Sequence, residues 1–263
     1  MLKRIIFLSG ALVSLHISLM TPAFGAVQGI AQKVREAGLE MVRGNFERSV
    51  VLYNDALAEK NLANEQRATI LNDRGVAQWR MRQALAAIED FNQAVALYPE
   101  YAATYNNRGN VLMGIGMLDE AIKDFDRAVL LSPKYSAAFS NRATAHARLE
   151  KFDEAARDYT QAIRLAPSSP VPYNGRGLSH LKASRPLSAV RDFSRTLSID
   201  PKFIAGFKNR ARVHMLLGLQ DKAISDLSRA QSLSPEDAQL YLSRARAWIA
   251  LQKPKSAIKD LNK

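Results

Sequence analysis

Histidine, arginine and aspartate are the residues of this sequence whose spacing could support chemistry. His146, His180 and His214 follow one another at intervals of 34 residues, and a set of imidazoles is a common way to hold a metal ion. Arginine and aspartate recur at the same interval and could bind a ligand or pair with each other. With four histidines and no cysteine among 263 residues, disulfides, thiolate metal sites and a cysteine nucleophile are excluded.

The sequence repeats with a period of 34 residues, and this repeat determines the secondary-structure elements that must position these side chains. Five kinds of residue recur in one register, and independent columns of this kind do not arise by chance. The columns are Arg74, Arg108, Arg142, Arg176, Arg210 and Arg244; Asp90, Asp124, Asp158, Asp192, Asp226 and Asp260; Ala87, Ala121, Ala155, Ala189, Ala223 and Ala257; Pro99, Pro133, Pro167, Pro201 and Pro235; and Tyr105, Phe139, Tyr173, Phe207 and Tyr241.

Within each period the apolar residues follow helical spacing. Tyr105 and Leu112 share one face of a first helix, and Ala121 and Phe125 share one face of a second. Proline cannot continue a helix, so Pro133 ends the second one. Each unit is therefore predicted to be two antiparallel helices joined by a tight turn.

A 34-residue helical hairpin of this composition resembles the tetratricopeptide repeat (TPR), and the resemblance covers about 30–263. The residues that match its signature directly are Tyr105, Gly109, Ala121, Phe125, Ala128 and Pro133. The resemblance implies an all-α, right-handed superhelical solenoid of stacked antiparallel helix hairpins. It also implies a scaffold or adaptor that binds a partner protein or an extended peptide in its concave groove.

The N-terminal sequence has the pattern of a secretory signal peptide. Two positive charges precede an uncharged apolar run over 5–20, and small residues follow, with cleavage expected after Gly25 or Ala26. The run is shorter than the ~20 residues needed to span a bilayer comfortably. We therefore predict an exported protein, in the periplasm of a bacterium, with an uncleaved N-terminal membrane anchor as the alternative.

The repeats and the N-terminal pattern together predict four segments. Residues 1–26 are the signal peptide, and 27–67 form a degenerate first repeat with four extra residues before Arg67. Five consecutive repeats occupy 68–237, and 238–263 form a truncated C-terminal repeat or cap.

The histidine and arginine columns are both interpreted as structural. Equivalent residues of stacked hairpins lie roughly 10 Å apart, too far for imidazoles to share one zinc ion, so we predict core histidines and neither a metal site nor a cofactor. In each hairpin the arginine lies as far before the turn as the aspartate lies after it. The predicted ion pairs are Arg74–Asp90, Arg108–Asp124, Arg142–Asp158, Arg176–Asp192, Arg210–Asp226 and Arg244–Asp260.

Asparagines on the first helices are the main candidates for contact with a partner, because asparagine is costly inside a helix and its amide can bind a peptide backbone. The resemblance places them in the concave groove; the alternative is local hydrogen bonding between neighbouring hairpins. The predicted partner-binding residues are Asn72, Asn106, Asn107, Asn110, Asn141, Asn174, Lys208, Asn209 and Arg212.

Charge is distributed unevenly along the chain. Residues 170–263 carry 17 lysines and arginines against 7 acidic residues, whereas 27–169 balance at 18 against 18. A positive face attracts acidic proteins or an anionic envelope surface, and export argues against nucleic acid as a partner. A polyanion or membrane-surface binder and a self-associating structural protein, hence a homo-oligomer, are the alternative functions. No catalytic motif is found, so no enzyme activity is predicted.

Overall fold

The computed structural model describes residues 24–263, with side chains from residue 29 onward, and these residues form fourteen α-helices and no strand. The helices are α1 (Phe24–Arg43), α2 (Phe46–Leu57), α3 (Asn64–Arg80), α4 (Ala84–Leu97), α5 (Ala102–Gly114), α6 (Leu118–Leu131), α7 (Ser136–Arg148), α8 (Phe152–Leu165), α9 (Pro170–Lys182), α10 (Pro186–Ile199), α11 (Ile204–Leu216), α12 (Gln220–Leu233), α13 (Ala238–Ala250) and α14 (Pro254–Leu261). Successive helices pack in pairs, so the predicted all-α fold of stacked hairpins is confirmed.

The described chain divides into two compact units, with the boundary between Ser132 and Pro133. The first unit contains the hairpins α1–α2, α3–α4 and α5–α6, and the second contains the four hairpins from α7 to α14. The predicted signal peptide lies outside the described residues except for its last residues, whose backbone begins α1. None of the described helices has the length and the apolar character needed to cross a membrane.

Each hairpin turn requires one residue in the left-handed region of φ. Gly116, with φ of 90°, lies two residues after the end of α5, and the amide of the following Met117 donates to the Leu112 carbonyl at 2.9 Å. This bond is one of the two that define a Schellman motif, which satisfies the last carbonyls of a helix. Equivalent turns place Glu150 and Ser184 at φ of 59° and 58°, where a side chain is disfavoured. The tight turn between the two helices therefore recurs even where the residue in the left-handed region is not glycine.

The interior of a hairpin consists of small residues facing aromatic rings. Ala121 and Phe125 of α6 are fully buried, and a side chain on Gly109 of α5 would meet the Phe125 ring at 2.7 Å. Gly177 and Phe193 repeat this contact in the second unit. The glycine lets the two helices approach until the ring fills the space between them.

Tyr159 is an exception, because Ala143 occupies the place that Gly109 has one repeat earlier. The Tyr159 ring instead extends toward the next hairpin, where a β-carbon on Gly175 would lie 2.3 Å from its Cζ atom. Its hydroxyl forms a hydrogen bond of 3.0 Å with the Thr144 hydroxyl. The glycine that accommodates this aromatic side chain is thus in the neighbouring repeat.

The segment with the four predicted extra residues before Arg67 differs from its counterparts in later hairpins. The connection between α2 and α3 has six residues where that between α4 and α5 has four, and α3 has 17 residues where α5 has 13. The Arg67 guanidinium donates back to the carbonyls of Leu57 at 2.9 Å and Glu59 at 3.0 Å. These carbonyls lie at and just beyond the end of α2, where backbone acceptors lack helical partners. Arg67 therefore caps α2, which lacks the proline that ends the later second helices.

Candidate partner-binding face

Each unit has a narrower side, formed by the first helices of its hairpins. In the first unit α3 contacts α5, and in the second α7 contacts α9 and α9 contacts α11. Successive second helices within a unit, such as α8 and α10, show no comparable approach among the described residues. The first helices therefore line the concave side of each unit, and all nine predicted partner-binding residues lie on them.

In the first unit the asparagines form a directed series of hydrogen bonds. The Asn107 amide donates to the Asn72 side-chain oxygen at 3.0 Å, and the Asn72 amide donates to Asp73 Oδ1 at 3.0 Å. A long contact of 3.5 Å joins the Asn106 amide to the Asn107 oxygen. Asn72 and Asn106 are buried, whereas Asn107 and Asn110 reach solvent in part. The series crosses from α5 to α3 and ends on a carboxylate.

In the second unit the same contact recurs once. The Asn209 amide of α11 donates to the Asn174 oxygen of α9 at 3.0 Å, and Asn209 is buried. Lys208 pairs with Asp237 at 3.1 Å. Asn141 of α7 is half-buried, and Arg212 of α11 is exposed. Two amide contacts therefore have the geometry expected of local bonding between hairpins, while a role in partner binding stays a prediction for the whole set.

The structure brings together every arginine and aspartate of the predicted ion pairs. In α9 and α10, Arg176 Nε lies 2.9 Å from Asp192 Oδ2 and its Nη2 lies 2.7 Å from Asp192 Oδ1. The same two-bonded arrangement joins Arg74–Asp90, Arg108–Asp124, Arg142–Asp158, Arg210–Asp226 and Arg244–Asp260. The aspartates are almost fully buried, so each carboxylate depends on its arginine.

A third donor of these arginines extends the contact to the preceding hairpin, which sequence reasoning missed. Arg176 Nη1 donates to the Thr160 hydroxyl at 3.0 Å, and Arg210 Nη1 donates to the Ser194 hydroxyl at 3.0 Å. The signal was a column of short polar residues at the same period, Asn92, Asp126, Thr160, Ser194 and Ser228. In five of the six pairs, all but that of Arg74, the guanidinium also lies over the aromatic ring three residues earlier, as Arg176 does over Tyr173 at 5.8 Å.

The three periodic histidines face the aspartates of these pairs. His146 and His180 Nε2 lie 3.9 and 3.8 Å from the carboxylates of Asp158 and Asp192, and His214 Nδ1 lies 3.1 Å from that of Asp226. Burial lowers the pKa of all three imidazoles, although the facing carboxylate opposes the shift. Among residues 29–263, no group of three or more metal-ligating side chains is placed to hold an ion.

Asp73 of α3, in the first unit, also has a perturbed pKa. Burial raises the pKa of its carboxyl to about 6, against the opposing effect of the hydrogen bond from Asn72. The Asp73 charge in turn raises the pKa of the nearby Tyr53, whose own burial is the main cause of its shift. Part of the Asp73 side chain still reaches solvent.

Comparison with known proteins supports the arrangement of stacked helix hairpins. Two sequence profiles of the tetratricopeptide repeat match residues 100–168 and 140–202. No curated protein matches the chain.

Solved structures share the fold at low sequence identity. A tetratricopeptide repeat protein from Parabacteroides merdae ATCC 43184 has 18% identity and a TM-score of 0.68, covering 89% of this chain and 91% of that one. PilW, a widely conserved type IV pilus biogenesis factor, has 20% identity and a TM-score of 0.68 over 74% of this chain and 90% of its own. YrrB, a TPR protein with an unusual peptide-binding site, has 19% identity and a TM-score of 0.56, covering 66% and 90%. The matching profiles identify tetratricopeptide repeats within residues 100–202, and the stacked helix pairs show the same fold in the rest of the described chain.

Proposed function

We propose that this protein is a non-enzymatic adaptor of the cell envelope that binds a partner protein or an extended peptide along its first helices. The observation that carries the proposal is the set of polar side chains on the concave side of each unit, represented by Asn110 in the first and Arg212 in the second. Asn110 is half-buried and Arg212 is exposed, so both are accessible to a ligand. The tetratricopeptide repeat family consists typically of scaffolds without catalytic activity, which supports the absence of an enzyme function.

The chemistry of these side chains suits an extended chain. A side-chain amide carries both donors and an acceptor, so it can pair with the carbonyl and the N–H of a peptide without reading its side chains. Amides already joined between hairpins, such as Asn107 and Asn72, hold their neighbours in place, while accessible side chains such as Asn110 and Arg212 bind. Structural and binding roles are therefore divided among the predicted residues.

The predicted signal peptide supports the cell envelope as the compartment. The N-terminal sequence Met1–Ala26 has the signal-peptide pattern. The fold likeness to PilW, a pilus biogenesis factor, is consistent with an envelope role but rests on fold alone.

Site-specific photo-crosslinking tests the proposal. A photoreactive residue replaces Asn110 or Arg212, and in the matched control it replaces Arg229, an exposed residue of the second helix α12. After expression in the native host, we expect discrete adducts from the two first-helix positions and none from position 229. Equal adducts from all three positions, or adducts only from position 229, would contradict binding on the concave side.

The charge of the second unit favours a second candidate function, a binder of polyanions or anionic membrane surfaces. Residues 133–263 carry 23 lysines and arginines against 11 acidic residues. The first helices α7, α9, α11 and α13 contain no acidic residue at all. This candidate predicts sedimentation with anionic vesicles that falls steeply between about 50 and 300 mM salt, because salt screens exposed charges. Binding that is independent of salt or lipid charge would exclude it.

A further inference from the structure

Asp73 is an acidic group on the concave side of the first unit without a cationic partner. Among residues 29–263 it forms one hydrogen bond, from the Asn72 amide to Oδ1 at 3.0 Å, and no lysine or arginine pairs with it. The helices enclose the carboxylate, while the residue as a whole is only partly buried. An enclosed carboxylate without a counter-charge is costly, and a cation that enters from solvent would relieve that cost.

The nearest basic residue along the chain cannot supply the charge. Arg74 directs Nε and Nη2 to Asp90 at 2.7 and 2.6 Å, and its Nη1 to the Asn54 oxygen at 2.6 Å. All three of its donor groups are therefore committed on another face of α3. The groups shown to interact with Asp73 among the described residues are the Asn72 amide of its own helix, which donates to it, and Tyr53 of α2.

The surrounding amides favour the ionised form of Asp73. Asn107 donates to Asn72, and Asn72 donates to Asp73, so the series of dipoles ends on the carboxylate and fixes its position. The equivalent places in the other repeats hold asparagine, glycine or serine, at Asn107, Asn141, Gly175, Asn209 and Ser243. Asp73 is thus the one carboxylate in this column.

We infer that Asp73 forms a subsite for a lysine or arginine side chain of the segment bound along the first helices of the first unit. Asp73 Oδ1 already accepts from Asn72, and the rest of the carboxylate receives the ammonium or guanidinium group. The inference rests on the proposed peptide-binding function, and it adds the chemical class of one ligand residue. Recognition of a basic residue at one fixed position would set the register of the bound segment in the groove. Amides that bind only the peptide backbone cannot set this register.

Selection from a library of random ten-residue peptides tests the inference. The mature protein and its Asp73→Asn variant are each used as bait, and the enriched peptides are resynthesised with acetylated N-termini. We expect peptides with a basic residue at one position, whose replacement by norleucine or citrulline weakens binding about tenfold to the wild type and less than twofold to Asp73→Asn. Acetylation separates a side chain from the terminal amine, because only binding through the terminal amine is lost on acetylation.

Matched variants keep the result interpretable. Asp73→Asn introduces the residue that this chain has at the equivalent Asn107, so the fold is expected to tolerate it. Glu65→Gln removes an exposed carboxylate from the same helix and should leave the selection unchanged. Asn107→Asp combined with Asp73→Asn should move the preferred basic position along the peptide.

Each outcome decides the inference. Enriched peptides without a basic preference, a preference that Asp73→Asn retains, or binding lost on acetylation would overturn the Asp73 subsite and leave the proposed peptide binding intact. Failure to enrich any peptide with either bait would overturn both.

Discussion

The Arg176–Asp192 pair offers a direct test of how the hairpins are held together. Replacing Asp192 with alanine removes two charge-assisted hydrogen bonds and leaves Arg176 partly buried, with only the Thr160 hydroxyl as an acceptor. Replacing Arg176 with methionine leaves the carboxylate without its donors. The double variant removes both charges, so it should be more stable than the sum of the single effects predicts.

The expected magnitude follows from the burial of the pair. Breaking a fully buried ion pair costs about 3–5 kcal/mol, and an exposed one contributes about 0–1 kcal/mol. The Asp192 side chain is 9% exposed and that of Arg176 is 21% exposed, which places this pair between the two limits. We expect Asp192→Ala to lower the free energy of unfolding by about 2–4 kcal/mol, with a coupling energy of about 2 kcal/mol.

Urea unfolding, followed by far-ultraviolet circular dichroism, measures the free energies of unfolding of the wild type, the two single variants and the double variant. The curves are fitted with a nearest-neighbour scheme for repeat arrays. The control cycle uses Arg157 and Glu154 of α8, whose nitrogen and oxygen lie 3.6 Å apart with 74% and 44% of the side chains exposed. Its coupling energy should stay below about 0.5 kcal/mol. Equal coupling in the two cycles would refute the argument that burial makes the periodic pairs strong.

Three further predictions concern packing and pH. Gly175→Ala should destabilise the fold by about 1–3 kcal/mol in urea unfolding, since its β-carbon would lie 2.3 Å from Tyr159 Cζ; Gly38→Ala, which meets nothing within 4 Å, should be neutral or stabilising. Burial lowers the pKa of His214, so the unfolded state binds the proton more readily and stability is lost as the pH falls below 6.5. His214→Leu should therefore reduce the difference in unfolding free energy between pH 7.5 and pH 5.5. An unchanged difference would count against burial as the cause of the lowered pKa. Burial raises the pKa of Asp73 from 3.8 to about 6, so its contribution to stability is lost as the pH rises through that range. In urea unfolding, Asp73→Asn should therefore raise the free energy of unfolding at pH 8 relative to wild type by up to about 3 kcal/mol, and should not raise it at pH 3.5.

The hairpins could be predicted because the same residue types recur at the same positions of successive repeats. Alanine, proline and aromatic columns mark the same places in every unit, and the turn follows from the point where the two helical faces change. The opposition of Arg176 and Asp192 followed from equal distances to that turn. Such contacts lie within one hairpin, so a single period of the sequence contains both partners.

Contacts between hairpins were harder to predict from the sequence. The acceptor of the third arginine donor changes from Asn92 to Thr160 and Ser194, so the column does not appear as an identity. For the asparagines, the distance between neighbouring first helices decides whether amides meet each other or a ligand. That distance depends on how the helices pack, for example on the Tyr159 ring, which extends toward the next hairpin. No column of residues at the 34-residue period indicates this packing.

The third arginine donor also bears on how the length of such an array changes during evolution. Arg210 binds Ser194 of the hairpin before it, and Arg176 binds Thr160 in the same way. If recombination within the gene removed the 34 codons for one hairpin, Arg210 would meet the Thr160 hydroxyl in place of the Ser194 hydroxyl. A duplication of one period would likewise provide each new guanidinium with an acceptor. Whole hairpins can thus be gained or lost without leaving a charged group unsatisfied at the junction.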